Sequence, residues 1–181
     1  MFRDLKSDEI DVRLATVKES GVSLLLYKDA RVDQNILDET YGAFGWQRDH
    51  KELKGNIYCG ISIYDKGKGQ WVTKWDCGKE SFSEAEKGEA SDSFKRAGFN
   101  WGIGRELYTA PFIWISSDRC NIKQTKKTDK YGNPIYECKD NFFVEAIEIK
   151  DKVITGLAIR NNNFKNDKGL PVRAFAYKKG E

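Results

Sequence analysis

The sequence predicts an α+β fold in which an antiparallel β-β-β meander packs on a long α-helix, with a C-terminal β-hairpin extension. Apolar and polar side chains alternate over Ile57–Ile63 and again over Trp71–Cys77. A period of two residues is typical of a sheet with one buried face. Phe94, Ala97 and Trp101 then follow at helical spacing, which predicts a helix whose apolar side packs on that sheet.

The first elements are predicted from spacing as well. Ile10, Leu14 and Val17 recur at helical intervals, which predicts a short amphipathic helix over residues 7–18. The apolar run Val22–Tyr27 predicts a strand.

A second helix and the first meander strand come next. Helical spacing returns over residues 31–41, with Val32, Ile36 and Thr40 near one face, and Gly42 should end that helix. Trp46–Leu53 completes the meander. The connections have hairpin-turn chemistry, at residues 54–56 and 65–69.

The long helix has sequence signals at both ends. Ser83 and Glu86 form a capping box that would begin it. Gly88 and Gly98 inside the helix predict close approach of its backbone to the sheet or to a neighbouring subunit. The turn Gly102-Ile103-Gly104 ends the helix, so it presents carbonyls where a phosphate would need amides. We therefore interpret it as a helix C-cap and not as a phosphate cradle.

The C-terminal part is predicted to hold a short strand at Phe112–Ile115 and a lysine-rich loop at Lys123–Asn133. A hairpin follows, with strands at Phe142–Ile149 and Val153–Arg160. The basic stretch from Asn161 is expected to be a loosely ordered tail.

Charge and composition suggest a division of the chain. The net charge is +3 over 181 residues, but residues 121–181 hold 13 lysines and arginines against 8 acidic side chains. We predict a core domain over residues 1–120 and a basic loop, hairpin and tail over 121–181. No cysteine pair has zinc-ligand spacing, no leader segment is evident, and no apolar run is long enough to cross a membrane. A cytoplasmic protein with reduced thiols is expected.

Two sets of residues in the sequence could in principle belong to a catalytic site. Glu148 and Lys150 form an E-x-K tripeptide that, with Asp140, could hold Mg²⁺ in a nuclease. A solvated strand face explains the same residues. His50 is the single histidine, and nothing near it frames a nucleophile.

Single-stranded nucleic acid fits the residues better. Such binding needs cations along the phosphates and aromatic rings near the bases. Lys95 and Arg96 point away from the apolar side of the long helix, and Arg31 begins the helix before the meander. The remaining candidates are cations of the second meander turn and nearby aromatic residues: Lys66, Lys68, Tyr41, Tyr58, Tyr64 and Trp71.

Three segments in order resemble the Rad-fifty-two-type single-strand annealing proteins, including their bacteriophage relatives. RVDQNILDETYGAFGW (31–46) resembles the family's first helix and its glycine–Trp exit. NIYCGISIYDKGKGQWVTKWDCG (56–78) resembles its strands, and EKGEASDSFKRAGFNWGIGRELY (86–108) resembles its long cationic helix.

The resemblance implies annealing of complementary single strands without ATP, by a homo-oligomeric ring or helical filament with DNA in an outer groove. It implies that Arg31, Lys95 and Arg96 contact phosphates at the inner site. It also implies that Lys66 or Lys68 contacts DNA at an outer site. Phe99 stands where the eukaryotic proteins have a further arginine.

We therefore expect a DNA-annealing protein of phage or prophage recombination, acting in the cytoplasm of a bacterial host. Its DNA-binding residues would be Arg31, Lys95, Arg96, Lys66, Lys68 and Tyr41. We expect no catalytic residue, metal, cofactor or membrane partner. A Mg²⁺-dependent nuclease using Glu148 and Lys150, or an interaction module that does not bind DNA, are the alternatives.

Overall fold

The computed structural model describes residues 2–78 and 85–180, with the backbone alone at 85–87. The described chain is α+β with antiparallel strands, so the predicted class is confirmed. It forms two compact units. The helical unit comprises the residues up to Asp4 and Lys28–Arg105, and the strand unit comprises Leu5–Tyr27 and the residues from Glu106 onward. The predicted functional division at residue 120 stays a prediction.

The described chain consists mostly of strands, with two α-helices between them. In chain order they are β1 (Asp11–Lys18), β2 (Gly21–Tyr27), α1 (Ala30–Tyr41), β3 (Trp46–Leu53), β4 (Asn56–Asp65), β5 (Gln70–Cys77), α2 (Ala85–Trp101), β6 (Ile113–Ser116), β7 (Ile122–Thr128), β8 (Pro134–Cys138), β9 (Phe142–Lys150), β10 (Val153–Lys165) and β11 (Pro171–Lys178). Short 3-10 helices span Ser7–Glu9, Arg105–Thr109 and Ser117–Arg119.

In the helical unit, β3, β4 and β5 pair antiparallel with β4 in the centre. Cys59, Ile61 and Ile63 of β4 are buried because their side of the sheet faces α2. The Trp101 indole of α2 donates a hydrogen bond to the Ile61 carbonyl over 2.9 Å. Phe94, predicted to face the sheet, is 1% exposed. The core of this unit therefore lies between the sheet and α2.

Helix α1 begins at Asp29, whose carboxylate accepts a hydrogen bond from the Arg31 amide. It ends at Gly42, which has φ +73° and donates its amide to the Asp38 carbonyl. Its fully buried side chains include Ile36 and, unexpectedly, Asp33. The spacing of apolar residues does not reveal that the carboxylate of Asp33 is buried in the middle of the packed face of α1.

Helix α2 ends in a Schellman turn, as the glycines predicted. Gly102 has φ +94°, its amide bonds the Phe99 carbonyl, and the Ile103 amide bonds the Gly98 carbonyl. Gly98 allows a close approach, but to α1 of the same chain: an added Cβ would lie 2.8 Å from the Asp33 carboxylate. The predicted capping box of Ser83 and Glu86 falls outside the described side chains.

The strand unit corrects the first prediction. Residues 11–18 form β1 and not a helix. The register with β2 shifts between Leu14 and Thr16, and this bulge adds one residue. Leu14 and Val17, three residues apart, are therefore both partly buried, which imitates helical spacing.

The C-terminal predictions need two further corrections. The expected loop at 123–133 belongs to an antiparallel β7–β8 hairpin, and the expected loose tail forms the end of β10 and all of β11. Strand β10 pairs with both β9 and β11. The turn before β11 is held by the Asn166 side chain, which accepts from the Lys168 and Leu170 amides at 3.0 Å each. Polar composition concealed both hairpins.

Candidate nucleic-acid interface

Arg31 lies on the first turn of α1 with its side chain 83% exposed. Its guanidinium donates to the Asp29 carboxylate, with Nε at 3.0 Å from Oδ1 and Nη2 at 3.2 Å from Oδ2. The same carboxylate caps the helix, so one acidic residue both begins α1 and holds the arginine in place. Arg31 is accessible to a phosphate, but Asp29 competes for it.

Lys95 of α2 lies near the same end of α1. Hydrogen bonds from the Arg31 side chain and amide hold the pKa of the Asp29 carboxyl below its ordinary value, and the charge of Lys95 adds to that effect. Lys95 also acts on the carboxyl of Asp33. Arg31 and Lys95, which are distant in sequence, therefore both act on the Asp29 carboxylate at the start of α1.

Arg96 points elsewhere. Its Nε lies 3.3 Å from the Asp76 Oδ1 on β5, and its side chain is 38% exposed. Asn100 donates to the other oxygen of the same carboxylate at 3.2 Å. Successive side chains on a helix diverge by about 100°, so Lys95 faces α1 while Arg96 faces the edge of the sheet. That both Lys95 and Arg96 contact DNA stays a prediction.

A buried ion pair missed by the sequence analysis lies beneath this region. The Lys28 ammonium contacts both carboxylate oxygens of Asp33, and Lys28 is only 2% exposed. Burial raises the pKa of Asp33 to about 6, against the opposing effect of Lys28. The same ammonium lies 4.5 Å from the centroid of the Phe99 ring. A buried cation thus lies over the ring of Phe99 at the end of α2.

The pair connects α1 and α2, because Asp33 also contacts the Cα side of Gly98. Its signal in the sequence was an acidic residue within the apolar stripe of α1. The structure is needed to identify Lys28 as the partner of Asp33, because Lys28 precedes the helix.

The other end of α1 meets the β4–β5 turn at an open cavity of about 600 Å³. Tyr41 is 40% exposed and packs edge-on against Phe2, with ring centroids 5.7 Å apart. Lys66 and Lys68 line the same cavity and are exposed. Lys68 lies 3.9 Å from Asp65. The predicted residues Tyr41, Lys66 and Lys68 are thus brought together.

The predicted residues therefore form two groups along α1. Arg31 and Lys95 lie at its start, and the cavity with Tyr41 lies at its end. From residue 31 to 41 the helix rises about 15 Å, which a strand with B-form spacing covers in about four nucleotides.

Aromatic side chains also occupy the face of the sheet opposite α2. Trp71 and Trp75 are 43% and 37% exposed. The Trp75 ring covers Gly60, where an added Cβ would lie 2.6 Å from it, and the Lys51 ammonium lies 4.6 Å from the Trp75 ring. Tyr64 contacts Trp71 edge-on at 5.5 Å. These rings form a second exposed aromatic surface of the helical unit.

Two other cations near α2 already have structural roles. Lys74 donates to the Asn100 carbonyl at 2.9 Å and lies over the Trp101 ring. Arg105 donates to the Phe99 carbonyl at 2.7 Å. Both stabilise the C-terminal end of α2, where positive charge is favourable.

The residues of the nuclease alternative are not brought together. Asp140 precedes β9 and Glu148 lies near its end, roughly 26 Å away along the strand. The Asp140 carboxylate accepts from the Asn121 amide at 2.7 Å and from the Asn161 side chain at 2.7 Å. Within residues 2–78 and 88–180 no group of three or more His, Cys, Asp or Glu side chains is placed to hold a metal ion.

An α+β fold with exposed cations and aromatic rings along one helix is typical of a nucleic-acid-binding protein. The model of the Rad52/22 family of double-strand break repair proteins matches residues 3–129, and the chain belongs to this family. The resemblance drawn from the three segments is thereby confirmed, and the protein is a DNA-binding member of a family of DNA recombination and repair. No curated protein matches the chain. Neither described helix is long and apolar enough to cross a membrane.

Proposed function

We propose that this protein binds single-stranded DNA and anneals complementary strands without ATP, as a homo-oligomeric ring or helical filament. The observation that carries the proposal is that Arg31 and Lys95, from different helices, both act on the Asp29 carboxylate at the start of α1. Two cations from different helices, Arg31 exposed and Lys95 half-buried, would form a phosphate-binding place that needs no base readout. Annealing requires this arrangement, because the backbone must be held while the bases stay free to pair.

The cavity at the other end of α1 supports a second contact. Lys66 and Lys68 supply mobile positive charge at its rim, and Tyr41 supplies a partly exposed ring. Lysine side chains act as flexible point charges, which suits a second strand whose position changes as pairing proceeds. Arg96, facing Asp76, would join the phosphate contacts only by exchanging that partner.

The setting we propose is phage or prophage recombination in the cytoplasm of a bacterial host. It is supported by the resemblance of residues 31–108 to bacteriophage annealing proteins. No catalytic residue, metal or cofactor enters the proposed activity. Loss of recombination between phage genomes after deletion of the gene is the expected result, and unchanged recombination would contradict the setting.

The binding test is fluorescence anisotropy of a labelled single-stranded oligonucleotide over a salt series. Wild type should bind with strong salt dependence, and Arg31→Gln/Lys95→Gln should bind roughly tenfold more weakly. The slope of log affinity against log salt should fall by about 1.4, since each phosphate contact on a single strand contributes about 0.7.

The matched control is Arg13→Gln/Lys18→Gln, which removes the same charge from exposed positions of β1. Equal binding by both double variants would contradict the proposed site. Annealing of complementary strands is then followed without nucleotide, with and without Mg²⁺. Cleavage of the strands in Mg²⁺, lost in Glu148→Ala, would instead favour the nuclease. Sedimentation velocity at the binding concentration tests the oligomer, which should have a mass that is a multiple of 20.8 kDa.

A further inference from the structure

The β7–β8 hairpin, hereafter the basic hairpin (Ile122–Cys138), carries a cluster of positive charge that the proposed site does not use. It has four exposed lysines, Lys123, Lys126, Lys127 and Lys130. Its acidic side chains are Asp129 and Glu137. Glu137 lies 3.8 Å from Lys139, so its charge is offset outside the hairpin. The Rad52/22 match ends at residue 129, inside this hairpin.

The turn of the hairpin is built on the Asp129 carboxylate. It accepts from the Tyr131 amide at 2.8 Å, from the Asn133 amide at 2.9 Å and from the Asn133 side chain at 3.0 Å. These hydrogen bonds, first among them that from the Asn133 side chain, hold the pKa of Asp129 below its ordinary value. The Asp129 carboxylate is therefore occupied by hydrogen bonds of the turn, while the four lysines of the hairpin are exposed.

The turn presents an aromatic ring at its tip. Tyr131 is 76% exposed, and the Lys130 ammonium lies 4.9 Å from its ring centroid. Gly132, with φ +85°, provides the left-handed backbone that turns the chain back. The tip therefore presents an exposed ring beside a cation, and this combination can stack on a base and attract its phosphate.

The base of the hairpin is firmly attached within the strand unit. Cys138 is 8% exposed and Asn161 is fully buried. Asp140, just after the hairpin, accepts from the Asn121 side chain at 2.9 Å and from the Asn161 side chain at 2.7 Å. The basic hairpin therefore has a fixed base and a basic, aromatic tip, which suits contact with a ligand outside the fold.

We infer that the basic hairpin is a second binding site for single-stranded polynucleotide, in which the lysines contact phosphates and Tyr131 stacks on one unpaired base. A single strand is favoured over a duplex because a ring at a hairpin tip can stack only on a base that is free of its partner. Cation and ring side by side are the combination that single-strand binding uses. The inference rests on the proposed function for the identity of the polymer and extends it to the strand unit.

The test uses the full chain and a labelled single-stranded oligonucleotide. Lys126→Gln/Lys127→Gln is compared with Lys165→Gln/Lys168→Gln, which removes the same charge from exposed positions at the β10–β11 turn. The first variant should lower the salt slope by about 1.4 and the control should not, because only phosphate contacts release counterions. Tyr131→Ala should weaken binding roughly tenfold, and Tyr131→Phe should restore it.

The outcomes separate this inference from the proposed function. If the hairpin and control variants bind alike while Arg31→Gln/Lys95→Gln binds weakly, the inference is overturned and the proposed function stands. If the hairpin variants lose affinity for a duplex only, the inference is also overturned. A wild type that does not bind single strands at low salt overturns both. Circular dichroism and thermal unfolding of each variant show that the fold is unchanged.

Discussion

At the scale of single residues, acidic side chains hold the arginines of the candidate interface, and DNA bound as proposed would compete with them. Asp29 holds Arg31, and Asp76 holds Arg96. The Asp29–Arg31 pair is exposed, and exposed pairs contribute little stability, so a phosphate could replace its carboxylate at small cost. The acidic partners then tune the affinity for DNA and hold the arginines in place when DNA is absent.

Asp29→Asn should therefore bind single-stranded DNA more tightly than wild type. Asparagine is as good an N-cap as aspartate, so α1 should keep its stability while Arg31 and Lys95 lose a competing charge. We expect a gain of roughly threefold at low salt, which fades as salt screens the charges. Anisotropy titrations at two salt concentrations measure it, and Asp118→Asn, an exposed acidic residue of the strand unit, is the control. Unchanged or weaker binding by Asp29→Asn would show that the carboxylate does not compete.

At the scale of elements, buried or clustered charges hold neighbouring strands and helices together. Lys28 and Asp33 connect the start of α1 to α2 beneath Gly98. In the strand unit, Glu145 of β9 accepts from Arg160 of β10 at 2.6 Å and from Arg173 of β11 at 2.7 Å. This one carboxylate therefore contacts both other strands of its sheet.

The Glu145 cluster predicts a pH-dependent stability. Hydrogen bonds from Arg173 and Arg160 lower the pKa of Glu145 to about 2 from an ordinary 4.5. A lowered pKa means that the stabilisation is complete above about pH 4.5 and is lost as the pH falls toward 2. Glu145→Gln should lower the free energy of unfolding by about 1 to 2 kcal/mol at pH 7.

Urea unfolding at pH 7, 4 and 2.5 measures this effect. The difference in the free energy of unfolding between wild type and Glu145→Gln should decrease progressively from pH 7 to pH 2.5. Glu148→Gln, on the same strand, should show a smaller gap because Glu148 forms no such pair of arginine contacts. A gap for Glu145→Gln that is independent of pH would mean that the side chain acts by packing and not by charge.

At the scale of the whole molecule, strand annealing needs two binding events that can be separated. The start of α1 would hold one strand, and the cavity with Lys66 and Lys68 would receive its complement. A ring or filament would repeat both places along the bound strand, so a net charge of only +3 per chain can suffice. If the two places bind different strands, a substitution at one of them should impair one binding event and spare the other.

Lys66→Gln/Lys68→Gln should bind one strand nearly as well as wild type but anneal complementary strands about tenfold more slowly. The reason is that the first strand keeps Arg31 and Lys95, while the second loses its electrostatic attraction. Stopped-flow fluorescence of two labelled complementary strands measures the rate, with Arg13→Gln/Lys18→Gln as the charge-matched control. A rate equal to the control would remove the cavity from the proposed mechanism.

Much of the fold followed from local signals. Alternation over 57–63 and 71–77 gave the strands, and Gly42 and Gly102 marked helix ends because a left-handed residue is needed there. The errors have local causes too. A bulge after Leu14 gave β1 a helical spacing, and polar, lysine-rich composition disguised the β7–β8 and β10–β11 hairpins whose turns depend on Asp129 and Asn166.

The amino-acid sequence alone determined the α+β class, the family and the individual cations, because these are properties of short segments and of their order. Only the tertiary structure decided which cations act together. It brought both Arg31 and Lys95 within electrostatic reach of Asp29, turned Arg96 toward Asp76, and buried Lys28 against Asp33 and Phe99. Those contacts depend on how α1 packs against α2 and the sheet. Helix packing brings together residues that are far apart in the sequence, so their positions in the sequence do not reveal their distance in space.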